Sequence, residues 1–349
     1  MREGSRRGVI GVLALGMAST GAGDRGGAAA RKGLAAVWWT LAVLGVGVGM
    51  GVGWGCEERA AKPAWSGPRI AVLSPALAAT LKDLGYERWV VGRHGWDLSL
   101  DPSVPVVGDT VGGGIDYEAL VGVSPTHVVV QLGLSVMPER LEALADRHAW
   151  VVMRHEALTL DEIMSAAEAL DEALRPLAWP EGTEAERRGT PIAGLRARLA
   201  RAYTPRAGLE RLGPVLMLAQ TEPAAALGPG SCHHEVLVRL GATPALVRGG
   251  PYVEVQAEDV LSMRPGVIVL VMPRARGVGL ASGATGSGAL VARLGVLGRL
   301  DIPAVRAGRV VLIDDPRALL PGTPMIEFAE RLGAALSALA WEGDEDEGR

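Results

Sequence analysis

The sequence is short of cysteine, phenylalanine and lysine. Cysteine occurs only at Cys56 and Cys232, which excludes a disulfide framework as a source of stability. Lysine occurs at Lys32, Lys62 and Lys82 alone, against abundant arginine, and Phe328 is the single phenylalanine. That bias reads as composition rather than function, and it weakens any inference drawn from an arginine as such. A basic excess is also missing. The formal net charge is −4 and the pI near 5.9, so the footprint of a nucleic-acid binder is absent. No Ser-His-Asp order, no His-Glu-x-x-His and no paired carboxylates in one element are found. The glycine-rich stretches Gly112–Gly114 and Gly277–Gly283 lack the strand before and helix after that a phosphate loop requires.

What the 349 residues do hold is one plan written twice. Glu118-Ala-Leu-Val-Gly-Val-Ser-Pro125 runs into an apolar stretch ending at Val130, and Glu258-Asp-Val-Leu-Ser-Met-Arg-Pro265 into one ending at Leu270. In each, a carboxylate opens a short helix where the helix dipole favours it, apolar residues bury one face, and proline ends the helix ahead of a strand. The likeness extends upstream. Arg69–Leu73 reads as a strand leading through Ser74-Pro75 into a helix that stops at Leu84-Gly85; Val215–Leu218 leads through Gly228–Ser231 into one that stops at Leu240-Gly241. Two similar α/β lobes imply a cleft between them.

The chain divides accordingly. Residues 1–56 hold an apolar run from Leu34 to Gly55 behind Arg25, Arg31 and Lys32, the pattern of an export signal, with Met17 as an alternative start. Cys56, directly after Gly55, resembles the acylated cysteine of a bacterial lipoprotein, although Gly53 and Trp54 stand where aliphatic and small residues are usual. The alternative is an uncleaved membrane helix, since about 20 apolar residues cross a bilayer. Both place the globular part outside the cytoplasm, anchored to the membrane. A tether follows at 57–68, then an N-terminal lobe at 69–158, a helical connector region at 159–211, a C-terminal lobe at 212–340 and an acidic tail at 341–349 that reads as disordered. Thr159-Leu-Asp-Glu162 is a capping box opening an amphipathic helix stopped by Pro176 and Pro180; a second helix runs from Thr190-Pro191 to Tyr203. The fold class is therefore α/β, two Rossmann-like lobes joined by a helical connector.

Ligand groups are expected on loops after strands. In the first lobe these are Ser74, Pro75, Arg93, His94, Trp96 and Asp97; in the second they are Ser231, His233, Tyr252, Arg274 and Arg317. Cys232-His233-His234 is the most reactive cluster, and imidazole suits iron, cobalt or zinc. Adjacent helical residues point about 100° apart, so a single axial ligand such as His233, with His94 opposite, is easier than chelation by both. Arginines would suit an anionic ligand.

Arg69-Ile-Ala-Val-Leu-Ser-Pro75, Ile115-Asp-Tyr-Glu118, Ser124-Pro125, Gly228-Pro-Gly-Ser231, Tyr252-Val-Glu-Val255 and Ile302–Val310, in this order and spacing, resemble the helical-backbone (class III) substrate-binding proteins of ABC importers for iron-siderophores, cobalamin and haem. The resemblance covers residues 69–340. It implies a non-enzymatic receptor with no intrinsic cofactor, carrying an iron or cobalt chelate between its lobes to a permease and its ATPase. It also implies that Glu118 and Glu258 dock onto permease arginines, and that Trp96 packs against the chelate. A connector helix shorter than the family's backbone helix departs from the pattern. The competing expectations are a free metal-ion binder and an exported metalloenzyme built on Cys232 and His233.

Overall fold

Alternation of side chains along the strands builds two sheets in the computed structural model, which describes residues 67–110, 114–131, 136–179, 191–273 and 287–347. The first sheet holds β1 (Ile70–Val72), β2 (Val90–His94), β3 (Val106–Thr110), β4 (Gly114–Ile115), β5 (His127–Val130) and β6 (Val151–Arg154) in the order β4-β3-β2-β1-β5-β6. The second holds β7 (Val215–Thr221), β8 (Ala224–Leu227), β9 (Tyr252–Glu254), β10 (Val267–Val271) and β11 (Val310–Ile313) in the order β11-β10-β7-β8-β9. The repeated strands occupy matched places: β5 lies parallel between β1 and β6, and β10 lies parallel between β7 and β11.

The repeat holds at the level of single residues. The helices α1 (Pro75–Asp83), α2 (Tyr117–Gly122), α3 (Glu139–His148), α4 (Leu160–Ala178), α5 (Pro191–Ala202), α6 (Cys232–Arg239) and α7 (Ala257–Met263) complete most of the framework. Before the proline that follows α2 and α7, Ser124 and Arg264 take the left-handed conformation, at φ 47° and 48°. Gly85 after α1 and Gly241 after α6 do the same at φ 82° and 88°. Matched positive-φ stops in both lobes are what a duplicated chain path produces, since few other residues tolerate that backbone.

One face of each sheet turns toward a shared interior. Ile70, Val72 and Val129 of the first sheet belong to the same core as Val215, Met217, Val267 and Val269 of the second, with α4 residues Ile163, Leu170 and Leu174 between them. The alternate residues face outward. Ala71, Val128 and Val130 pack with Leu120 of α2, and Leu216, Ile268 and Leu270 with Val260 of α7. The glutamate-bearing helices thus cover the outer faces.

The connector is longer than the sequence suggests. Helix α4 runs 19 residues, about 28 Å, and carries Pro176 inside its last turns instead of ending before it. It is α4, not the shorter α5, that bridges the lobes. Near its start Leu160 N donates to Glu235 Oε2 of α6 at 2.7 Å; near its end Asp171 accepts from the Tyr86 hydroxyl at 2.8 Å and from Arg175 at 2.6 Å. The second connector helix, α5, has 12 residues. The final helix α10 (Met325–Glu347), which follows short helices α8 (Ser287–Ala292) and α9 (Pro303–Arg306), continues into the acidic stretch expected to be disordered. No helix among the described residues is long and apolar enough to cross a membrane, and residues 1–66, with Cys56 and the 34–55 run, lie outside them.

Candidate functional site

The carboxyl end of β1 is occupied by the protein itself. Ser74 caps α1, accepting from Leu77 N at 3.3 Å, and its hydroxyl donates to Gln131 Oε1 at 2.6 Å. Gln131 directly follows β5 and passes the contact on, donating from Nε2 to the Pro321 carbonyl at 3.3 Å. Two residues later Thr323 N donates to Thr80 Oγ1 at 3.4 Å. The segment after β11, Asp314 to Pro324, is therefore a strap from the second lobe laid over the first lobe's α1. Ser74 is buried and Pro75 is the first residue of α1, so both hold the strap and the helix start.

Gly322 is the closest approach. A Cβ there would lie 2.7 Å from the Ala76 carbonyl oxygen, backbone that cannot swing away. Gly322→Val is expected to destabilise the protein by about 1–3 kcal/mol, the usual cost of overpacking, read as a lower urea midpoint. An unchanged midpoint would mean that the strap is not seated on α1.

Four more expected ligand groups are engaged within the protein. Arg93 donates from Nε to the Val104 carbonyl at 2.9 Å and from Nη2 to that of Pro102 at 3.2 Å, stapling the 95–104 loop. Asp97 is buried and accepts from Ser99 N and Leu100 N, both at 3.0 Å, closing a turn. Ser231 caps α6, accepting from His234 N at 3.2 Å and donating to the Gly228 carbonyl at 2.8 Å. Arg317 pairs with Glu327 and, at 3.7 Å, with Asp315, which also holds Arg331 at 3.0 Å. Two arginines against two carboxylates leave no net charge for an anionic ligand. Arg274 lies outside the described residues.

The side chains of the metal expectation also have partners within the protein. His233 is buried, and its Nε2 donates to the Ala318 carbonyl in the strap at 2.8 Å, with Phe328 edge-on at 4.9 Å. Its Nδ1 lies 3.6 Å from Cys232 Sγ. Burial pushes the His233 imidazole down to about 4 and the Cys232 thiol up to about 12. A metal would need a free imidazole lone pair or a thiolate; the first is shielded in the core and the second costs too much to form there. The enzyme expectation built on this pair loses its reactive centre. His94 Nδ1 accepts from Trp96 N at 3.1 Å, which leaves the ring proton on Nε2 and that nitrogen a donor, not a metal ligand. Among the described residues no group of three or more His, Cys, Asp and Glu side chains could hold an ion.

Two expected ligand residues are open to solvent. Trp96, just past the end of β2, is 60% exposed, and Tyr252, at the start of β9, is 56% exposed. Tyr252 stands opposite Leu227 in register, beside the turn that leads into α6. Gly228 permits this close path, since a Cβ there would fall 2.6 Å from the Gly250 carbonyl oxygen. An exposed indole and a partly exposed tyrosine ring, one per lobe, supply apolar faces of large area, and burial pushes the Tyr252 hydroxyl up to about 12.

The two glutamates share one geometry. Glu118 and Glu258 are each the second residue of their helix, both exposed. Asp116 accepts from Ala119 N at 2.9 Å to cap α2; Gln256 and Asp259 form a capping box on α7, with Gln256 N donating to Asp259 Oδ2 at 2.9 Å. The caps are supplied by neighbours, so neither glutamate is spent on satisfying a helix end. No ion pair to either forms among the described residues.

Sequence reasoning missed Gln131. Its signal is one polar residue closing the apolar run Val128-Val129-Val130 of a central strand, at the end where a sheet receives ligands or neighbours.

No family model and no curated protein matches this sequence. Solved structures do. A possible iron-binding (periplasmic solute-binding) protein from Staphylococcus epidermidis is 15% identical with TM-score 0.58, covering 78% of this chain and 99% of its own. The periplasmic heme-binding protein of Roseiflexus sp. RS-1 is 20% identical with TM-score 0.57, covering 78% and 99%. The periplasmic vitamin B12-binding protein of Vibrio cholerae is 19% identical with TM-score 0.56, covering 79% and 98%. The chain therefore has the two-lobed α/β fold of these periplasmic binding proteins, over their whole length.

Proposed function

We propose that this chain is an extracytoplasmic substrate-binding protein, not an enzyme, that captures a metal chelate and delivers it to the permease and ATPase of an ABC importer. The observation that carries the reading is the duplicated fold itself, with an exposed, unspent glutamate at the same helix position in each lobe. The fold neighbours support it, being named for heme, vitamin B12 or iron. The cargo class is a ferric siderophore, cobalamin or haem, with iron or cobalt entering as cargo and no cofactor belonging to the protein. Trp96 and Tyr252 favour a chelate with an apolar face over a bare ion, which would need several converging donors. Acylation of Cys56, or an uncleaved 34–55 helix, would keep the receptor at the membrane.

Titration with cobalamin, haem, ferric siderophores and zinc, followed by calorimetry, tests the reading. Saturable binding of one chelate and none of zinc is expected; binding of zinc alone would overturn it. Trp96→Ala is expected to weaken the bound chelate by about 1 kcal/mol or more, roughly fivefold in Kd. An unchanged Kd would remove Trp96 from the site.

A further inference from the structure

Beside the second lobe's glutamate helix lies a cavity of about 270 Å³ that the ligand site does not use. Leu246, Val253, Val255 and Met263 give it an apolar floor, and Glu254, Asp259 and Ser262 stand around it. Its charged lining residues are both acids; no basic side chain lines it. Val253 and Val255 come from β9 and the residue after it, while Asp259, Ser262 and Met263 lie on one stripe of α7, spaced three and four apart. Glu258 precedes Asp259 by about 100° of helix turn, so it belongs to the adjoining face together with Leu261, itself exposed. The cavity, the docking carboxylate and an exposed leucine thus form one continuous corner on the outer face of the second lobe.

The first lobe's described cavity lies elsewhere. It measures about 400 Å³ and is lined from α3, Trp150 and Val152 and not from α2.

We propose that this corner is a socket for an apolar side chain flanked by basic residues on an extracytoplasmic loop of the permease, engaged together with Glu258. The inference rests on the receptor reading above and deepens its docking surface. The floor is too apolar to gain from a free ion, and the carboxylates select against an acidic segment. Exposed apolar surface rimmed by charge is what a partner of complementary sign covers.

The test places the full chain in lipid nanodiscs with methyl-labelled methionine and follows the Met263 signal, assigned by Met263→Leu. The probe is a short peptide alternating arginine and leucine; the control alternates glutamate and leucine. A saturable shift of Met263 with the first peptide and none with the second is expected. Ser262→Trp, which fills the cavity from an exposed position, should weaken that binding at least about tenfold, and Glu254→Lys by a similar factor. No Met263 shift, equal shifts with both peptides, or a shift that depends on protein concentration alone, marking a second copy as the occupant, would each overturn the proposal. Chelate titration of the same samples keeps the two readings apart: a receptor without the socket still binds its chelate, and a chain that binds no chelate fails on the earlier ground.

Discussion

Reversing charge at both outer-face glutamates, Glu118→Lys with Glu258→Lys, is expected to abolish chelate uptake while leaving chelate affinity unchanged. Both side chains are exposed and are the second residues of helices packed on the outer faces of their sheets, away from the interior that the lobes share. Neither caps its helix, so the substitutions leave Asp116 and the Gln256–Asp259 box intact. The cost to folding is confined to an unfavourable charge at a helix start, a few tenths of a kcal/mol each. The cost to docking is far larger. A carboxylate that pairs with a desolvated arginine on a partner becomes a like charge, and losing one such pair lowers affinity about thirtyfold or more. Two independent losses approach about a thousandfold, enough to empty the receptor–permease complex at any ordinary concentration. Single reversals should each show a partial defect. Uptake measured in cells, beside calorimetry of purified variants, separates the effects; undiminished uptake by the double variant would refute the docking role.

The helix and strand units that carry these glutamates are legible in the sequence because they depend on a local pattern that occurs twice; the docking role comes from the family resemblance. A glutamate at a fixed distance before a proline, with apolar residues between, specifies a capped helix, a stop and a strand from near neighbours alone. The structure adds that even the residue before the proline shares its left-handed conformation across the two lobes. The ligand list fared differently for a physical reason. Ser74, Ser231 and Asp97 are polar residues after strands, which fits ligand binding, but the same positions cap helices and close turns. Ser74 before Pro75 is a helix-start signature that could have settled the first of them. Arg93 and Arg317 are decided by partners elsewhere in their loops and in α10, which spacing does not show. The strap is beyond any local reading. Gln131 meets Pro321 and Thr80 meets Thr323 across most of the chain, and nothing in either segment alone announces the other. Trp96 differs from all of these in standing exposed on its loop.

The strap's anchor on the second lobe makes acid stability the other large effect. His233 is fully enclosed, donates to the Ala318 carbonyl, and has its pKa pushed by burial from the ordinary 6.5 down to about 4. In the unfolded chain the same imidazole takes up a proton near 6.5. Above that pH both states are neutral and His233 costs nothing. As pH falls from about 6.5 toward 4 the unfolded chain binds a proton that the folded one refuses, and stability is lost across that window. The loss from this group is on the order of 3 kcal/mol by pH 4, with no further change below the folded pKa. His127, His155 and His234 are also shifted down by burial and act in the same direction. A protein with ordinary stability of 5–15 kcal/mol should therefore show a steep fall in urea midpoint between neutral pH and pH 4. His233→Gln keeps a donor for Ala318 and removes the titration. Its stability at pH 7 should drop modestly through the lost contact with Phe328, but its slope against pH should be shallower by the share that His233 carries. The slope, not the absolute midpoint, is the diagnostic quantity. Equal slopes in the two proteins would show that His233 titrates alike folded and unfolded, and that the imidazole under the strap is not sealed from water.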